Sequence, residues 1–427
     1  MNTIEKSRHF FVTIVTLLAA MVLSGCGYHY KCGTTFGAST CTPSGGGSGS
    51  TGNIGSSAAF LYNIVGSGKI NGVALLAGSS GALENIQGFT APTVPSGDTS
   101  AEVVIAQKKF LYAAFPGSQL LFGWSINATS GNLTAVSGSP FTIATLGNVI
   151  LNSARVNMTA IAVNPAGTFL FIAAASAGAI DAYQISSTGT LTHVPGAPFN
   201  TIGTIQPWNL YFDGLGKYLY VTTGPEGAGQ QVAAYAIQSS GALNLVPGSP
   251  FGFNLWQLQG EPSGKYMIGI SGSSAALNTG INDTSLYVFS ITQSGTNAGA
   301  LTQVSGSPFL TQSAPVNIAV QPAAGNGNFV YSFSGTLSAP GSIEGYQLDI
   351  TTGALTAMPH SPFRSVGSGG WGQFDQSGTN LFIYSNNDVT PAVAALSVAV
   401  GTGGLTEPGG PLVLDNSTTF LTLTDRP

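Results

Sequence analysis

Groups able to do acid, base or ligand chemistry are scarce in this chain. Its 427 residues hold four His, three Cys, 16 Asp+Glu and 11 Lys+Arg, so that only 6% are charged. A soluble domain normally carries about a quarter of its residues as charged side chains. Four scattered His and three Cys do not suggest a multi-ligand metal site, and no metal or other cofactor is expected. The few basic residues leave no patch for nucleic acid. Low charge does not mean disorder here, because 43% of the residues are hydrophobic.

The elements that must position these groups are repetitive. One phrase recurs as SGNLTAVSGSPF from Ser130, TGTLTHVPGAPF from Thr188, SGALNLVPGSPF from Ser240, AGALTQVSGSPF from Ala298 and TGALTAMPHSPF from Thr352. Weaker copies start at Ser80 and Thr402, making seven. Their glycines, from Gly81 to Gly403, are 50, 58, 52, 58, 54 and 50 residues apart. Between the phrases come an apolar strand, a turn with Asn, Asp, Glu or Gln and Gly, then two alternating strands; the phrase itself supplies a fourth. Four short strands per repeat of about 53 residues, seven times, predict an all-β chain, a seven-bladed β-propeller. The prolines Pro140, Pro198, Pro250, Pro308 and Pro362 fall where the fourth strand should end, as a residue without an N–H requires. The first repeat lacks an inner strand and the chain ends on the lone strand TTFLTLTDRP. That C-terminal strand is therefore expected to join blade 1 and close the ring, leaving no open edge.

Ahead of the repeats lies an export segment. Lys6, Arg8 and His9 precede the apolar run FFVTIVTLLAAMVL, and Leu23, Ser24, Gly25 and Cys26 have lipobox spacing. Residues 1–25 read as a lipoprotein signal peptide, with Cys26 the lipidated residue; an uncleaved helix or an ordinary signal peptide is the bland alternative. No Asp follows Cys26, so an outer-membrane anchor is expected in a Gram-negative cell. Loss of Glu5, Lys6 and Arg8 takes 11 basic and 16 acidic residues to 9 and 15, a net charge of −6. Residues 26–57 form the tail and a Gly/Ser tether, in which Cys32 and Cys41 can close a disulfide in an oxidising compartment or stay as free thiols. Residues 58–427 form the propeller, expected to be monomeric and to touch the membrane only through the anchor.

The propeller leaves one place for a site. Asn164, Asp213, Glu261, Gln321 and Asp375 take equivalent places before the turn from first to second strand, where Asx-type turns explain them. Asp181 and Glu344 are equivalent on third strands, and His193 and His360 belong to the outer phrase. The loop from each outer strand to the next inner strand contributes Arg155 and Asn157, Gln206, Trp208 and Asn209, Trp256 and Gln257, Asn317, and Arg364, Trp371 and Gln373. Trp208 and Trp256 each stand nine residues before a turn lysine, Lys217 or Lys265. Aromatic faces beside amides suit a neutral polar ligand such as a glycan; plugging the channel or packing between blades is the alternative.

The repeats, with turns such as Asn164-Pro165-Ala166-Gly167 and Glu261-Pro262-Ser263-Gly264, resemble the seven-bladed propellers of the lactonase family. That family includes 6-phosphogluconolactonase-like and YVTN-type proteins, and the resemblance covers residues 58–427. It implies opening of a sugar lactone without a metal, by a His, an acid and an Arg at the channel mouth. The stretch matching the family's histidine-bearing segment, RVNMTA at 155–160, has no His. The expectation is thus a non-catalytic envelope lipoprotein that binds a small polar ligand or a protein partner at the rim. The alternative is a lactonase, with Arg155 or Arg364 holding the oxyanion and an acid still to be identified activating water.

Overall fold

The computed structural model describes residues 57–425 apart from 66–68, 77–81, 87, 91, 93, 95–101, 150–159, 202–205, 224–229, 272–282, 326, 336–340, 365–370, 386–391, 407–411 and 415–417. Cys26, Cys32, Cys41, Arg155 and Asn157 lie outside the described residues, and Arg364 is described as backbone only.

Seven antiparallel sheets follow one another along the chain, and each is one blade. Blade 3 shows the order: Ile161–Val163 innermost, then Phe169–Ala174, Ala179–Ile185 and Leu191–His193. Blade 1 takes its innermost strand, Thr418–Asp425, from the C-terminus; it pairs antiparallel with Ser57–Val65 from Ala59↔Asp425 to Val65↔Thr418. The apolar side chains form seven clusters, each joining two successive blades. The cluster that sets Ala59, Leu61 and Val73 of blade 1 against Phe382, Tyr384 and Val393 of blade 7 closes the circle.

Second strands have a blade on both sides, and their residues are buried without alternation, as in Phe110–Phe115 and Phe169–Ala174. In blades 2 to 6 the aromatic ring that opens the second strand meets the phrase glycine of the next blade. A Cβ on Gly189 would stand 2.6 Å from a ring carbon of Phe110, and one on Gly241 2.5 Å from Phe169. Two places on, a tyrosine ties the same turns: Tyr62, Tyr112, Tyr220 and Tyr331 donate to the carbonyls of Gly131, Gly189, Gly299 and Gly403 at 2.6–2.9 Å. The repeated glycine is thus a lock between blades as well as a turn residue.

The Gly-Ser-Pro-Phe motif does more than end the fourth strand. In blades 2, 3, 5 and 6 the chain turns there through a cis proline and adds a two-residue strand, such as Phe141–Thr142, to the start of the third strand; blade 4 turns through cis Pro250 and makes the single bridge Val232↔Phe251. Its serine satisfies the third-strand N–H that falls between the two short segments: Ser139, Ser249, Ser307 and Ser361 accept from Gly123, Ala234, Val288 and Gly345 at 2.8–3.0 Å. A two-residue strand is too short for an alternation pattern to reveal.

Candidate functional site at the loop face of the ring

Each innermost strand runs from the loop face, where outer strands lead into the next blade, to a hairpin face. At the hairpin face the turn acids are consumed by the backbone. Asp213 accepts from Leu215 and Tyr218, Glu261 from Ser263, Lys265 and Tyr266, and Asp375 from Thr379 and Asn380. Burial raises the Asp213 carboxyl above its usual range, while these N–H groups and Lys217 work to lower it.

At the loop face the physical problem is different. Alternate N–H groups of an innermost strand bond to the second strand, and the others point at the open inner edge, where no further strand follows. Buried donors of that kind need acceptors. The structure supplies them from the preceding blade. Glu102 Oε2 accepts from Ile161 N at 3.0 Å, Gln257 Oε1 from Ile318 N at 3.0 Å, and Asn317 Oδ1 from Gly372 N at 2.9 Å. Glu102, Ala160, Asn209, Gln257, Asn317 and Trp371 all stand four residues before the residue that opens the inner hairpin turn, so they form one ring of equivalent places in blades 2 to 7. Gln259, two places along, repeats the device with Val320 N at 2.8 Å.

The sequence-derived rim residues distribute as follows. Gln257 and Asn317 come together, with Asn317 Nδ2 3.4 Å from Gln257 Oε1, and their oxygens serve the backbone. Asn209 is fully buried and donates to Thr222. Trp256 is buried, and its carbonyl takes the Tyr211 hydroxyl at 3.2 Å. Trp371 is half-buried and edge-on to Tyr384. Gln373 is half-buried in the place equivalent to Gln259, and Gln206 is exposed. Trp208 is 9% exposed, at a β-bulge between Pro207 and Asn209, and its indole N–H is buried with no hydrogen-bond partner. A bulge re-aims the side chain it carries.

Sequence reading missed Glu102. It is 4% exposed, and burial pushes its carboxyl well above the ordinary 4.5, although the N–H groups of Ile161 and Ala160 pull the other way. The signal was its register with Asn209, Gln257 and Asn317. The blade 2 turn, Gln107-Lys108-Lys109, hides that register because it lacks the Pro-x-Gly or Asp-Gly pattern of its neighbours. A carboxyl whose pKa is raised in this way keeps its proton to higher pH, and when protonated it can donate as well as accept.

The other buried acids are tied to loops. Asp181, 1% exposed, takes hydrogen bonds from Thr145, Tyr183 and its own strand, and its Oδ1 lies 2.7 Å from His193 Nε2. Glu344 takes the N–H groups of Gln312 and Ser313 and the Tyr346 hydroxyl. Each anchors the loop that enters its own blade. Among the described residues no three His, Cys, Asp or Glu side chains are grouped to hold a metal.

No family model matches the chain, and no curated protein does. Solved structures do. A protein from Bacteroides uniformis, provisionally named a 6-phosphogluconolactonase, superposes with a TM-score of 0.58 at 15% identity, over 86% of this chain and 99% of its own. A Lactobacillus plantarum protein gives 0.55 at 16%, over 86% and 99%. The periplasmic gluconolactonase of Pseudomonas aeruginosa gives 0.52 at 14%, over 87% and 100%. The fold is that of the lactonase-type propellers. At these identities the likeness concerns architecture, and the lactonase-type ring described above carries its own set of rim residues.

Proposed function

We propose that this chain is an exported lipoprotein whose lactonase-type propeller binds a small, neutral, polar ligand at the loop face without turning it over. One observation carries the reading: the described rim presents amides committed to backbone donors, one carboxyl whose pKa burial raises, and an indole donor left uncommitted. Among the described side chains the rim groups are amides, an indole and one buried carboxyl, a set that suits neutral oxygen-rich ligands. The lipobox at 23–26 supports delivery to the envelope, with Cys26 the lipidated residue.

Lactone hydrolysis is the second reading, and Glu102 favours it, since a carboxyl of this kind can move a proton in water attack on an ester carbonyl. The full mature chain distinguishes the two. Incubated with glucono-1,5-lactone it is expected to leave the spontaneous rate unchanged, while neutral sugars raise its Tm by mass action. Turnover above background that disappears in Glu102→Gln would establish the hydrolase instead. Metabolic labelling with a fatty acid, lost in Cys26→Ala, tests the anchor.

A further inference from the structure

Among the described residues the ring of side-chain acceptors is incomplete, and one gap lies at blade 3. From blade 2 to 3, 5 to 6 and 6 to 7, the side chain at the ring place accepts the N–H one residue further along the next blade. Blade 3 has Ala160 at this place, and a methyl accepts nothing. The N–H it would serve in blade 4 belongs to Leu210. Asp213 N bonds to Tyr218 O across the hairpin, and the alternation of the ladder then turns the N–H groups of Leu210 and Phe212 to the inner edge. The innermost strand of blade 4 lies against the inner and second strands of blade 3, so the gap faces this edge.

An independent observation falls at the same edge. Two residues before Leu210, the Trp208 indole N–H is buried and unpartnered. Leaving a buried donor without an acceptor destabilises the fold, so its persistence calls for an explanation. Trp256, in the same place one blade on, has its neighbour Gln257 bridging to blade 6, and its own indole is not among the orphaned atoms. Next to the gap on its other side stands Glu102, bonded to Ile161 at the start of the blade 3 strand.

We propose that the gap beside Ala160 is an oxygen-binding subsite, in which the Trp208 indole N–H and the Leu210 backbone N–H together hold one acceptor oxygen of a neutral polyhydroxylated ligand. The inference rests on the ligand-binding reading above and locates its anchor. Two neutral donors on one edge strand suit a carbonyl, ring or hydroxyl oxygen. A carboxylate would bring a charge that neither donor balances and would face the acid at Glu102.

The test uses the full mature chain, Ala160→Asn, Trp208→Phe, and four probes: glucose, N-acetylglucosamine and glucono-1,5-lactone, with gluconate as the charged comparison. Thermal shift and calorimetric titration give stability and affinity. Asn at 160 copies the Asn317 bridge, so this variant is expected to be at least as stable as the wild type and to bind the neutral probes about tenfold or more weakly. Trp208→Phe keeps an aromatic ring, though a smaller one, and removes the donor, and is expected to weaken them roughly 2- to 10-fold. Unchanged affinity in both variants overturns the subsite while leaving rim binding intact. Preference for gluconate overturns the neutral-oxygen assignment. If Ala160→Asn fails to fold, the shape assigned to the gap is wrong and Trp208→Phe alone decides the donor. A wild-type chain that responds to none of the probes sinks both the subsite and the reading beneath it.

Discussion

The Tyr112 hydroxyl donates to the carbonyl of Gly189 at 2.6 Å, across 77 residues and from blade 2 to blade 3. Both ends are repeated features, and the bond recurs with Tyr62, Tyr220 and Tyr331. Tyr112→Phe removes the donor and leaves a buried carbonyl unpaired, a loss of about 1–3 kcal/mol. Urea denaturation should show a lower midpoint with an unchanged slope. Tyr112→Phe combined with Tyr331→Phe, which act in blades that do not touch each other, should be additive.

Gly189 has a second constraint. Its φ is +82°, and the missing Cβ would lie 2.6 Å from the Phe110 ring. Gly189→Ala therefore meets both a backbone that L-residues avoid and an overpacked interface, and should cost about 2–4 kcal/mol. Gly401, also at positive φ, has open space beside it, so Gly401→Ala should lose only the backbone part. Comparison of the two melting temperatures isolates the packing contribution.

Glu102 makes stability depend on pH in a defined direction. Its folded-state pKa is raised, so the folded protein holds the proton more tightly than the unfolded chain does. The contribution is complete below the ordinary value of 4.5 and is lost as pH rises from there through the folded-state pKa. Glu102→Gln keeps an acceptor for Ile161 N, as Gln257 does for Ile318 N, and removes the titration. Its stability relative to wild type should rise with pH above about 4.5. Parallel pH profiles for the two proteins would contradict this.

Glu344 holds the loop entering blade 6 through Gln312 and Ser313. Glu344→Ala should cost about 1–3 kcal/mol and accelerate amide exchange at those two residues more than elsewhere. A uniform acceleration would mean that the carboxylate supports the whole blade and not its loop.

The chain's last strand is expected to act as a latch. Deleting residues 418–427 removes the innermost strand of blade 1 and uncovers the edge of Ser57–Val65. Open edges pair with other chains, so the truncated protein should associate and lose its single cooperative transition. Light scattering and calorimetry measure both effects.

Much of the ring was legible because its signals are local and repeated. Phrase glycines counted the blades, unpaired strand segments at the two ends foretold the closure, and turn acids announced their own caps. Gln257, Asn317 and the tryptophans could be placed at one rim from spacing alone. The bonds that decide their roles could not, because each runs to a residue about 60 positions away in the next blade. Glu102 was missed for a local reason: its turn, Gln107-Lys108-Lys109, is of a different kind from the others and hides the register.

By itself, then, the sequence determined seven blades, their order and the strand that closes them, since hydrophobic period and turn chemistry act within a few residues. Only the tertiary structure decided which rim groups are already committed and which donor, at Trp208, is left over. An inner-edge N–H is satisfied from a neighbouring blade or not at all, and that depends on which side chain the closed ring brings within 3 Å of it.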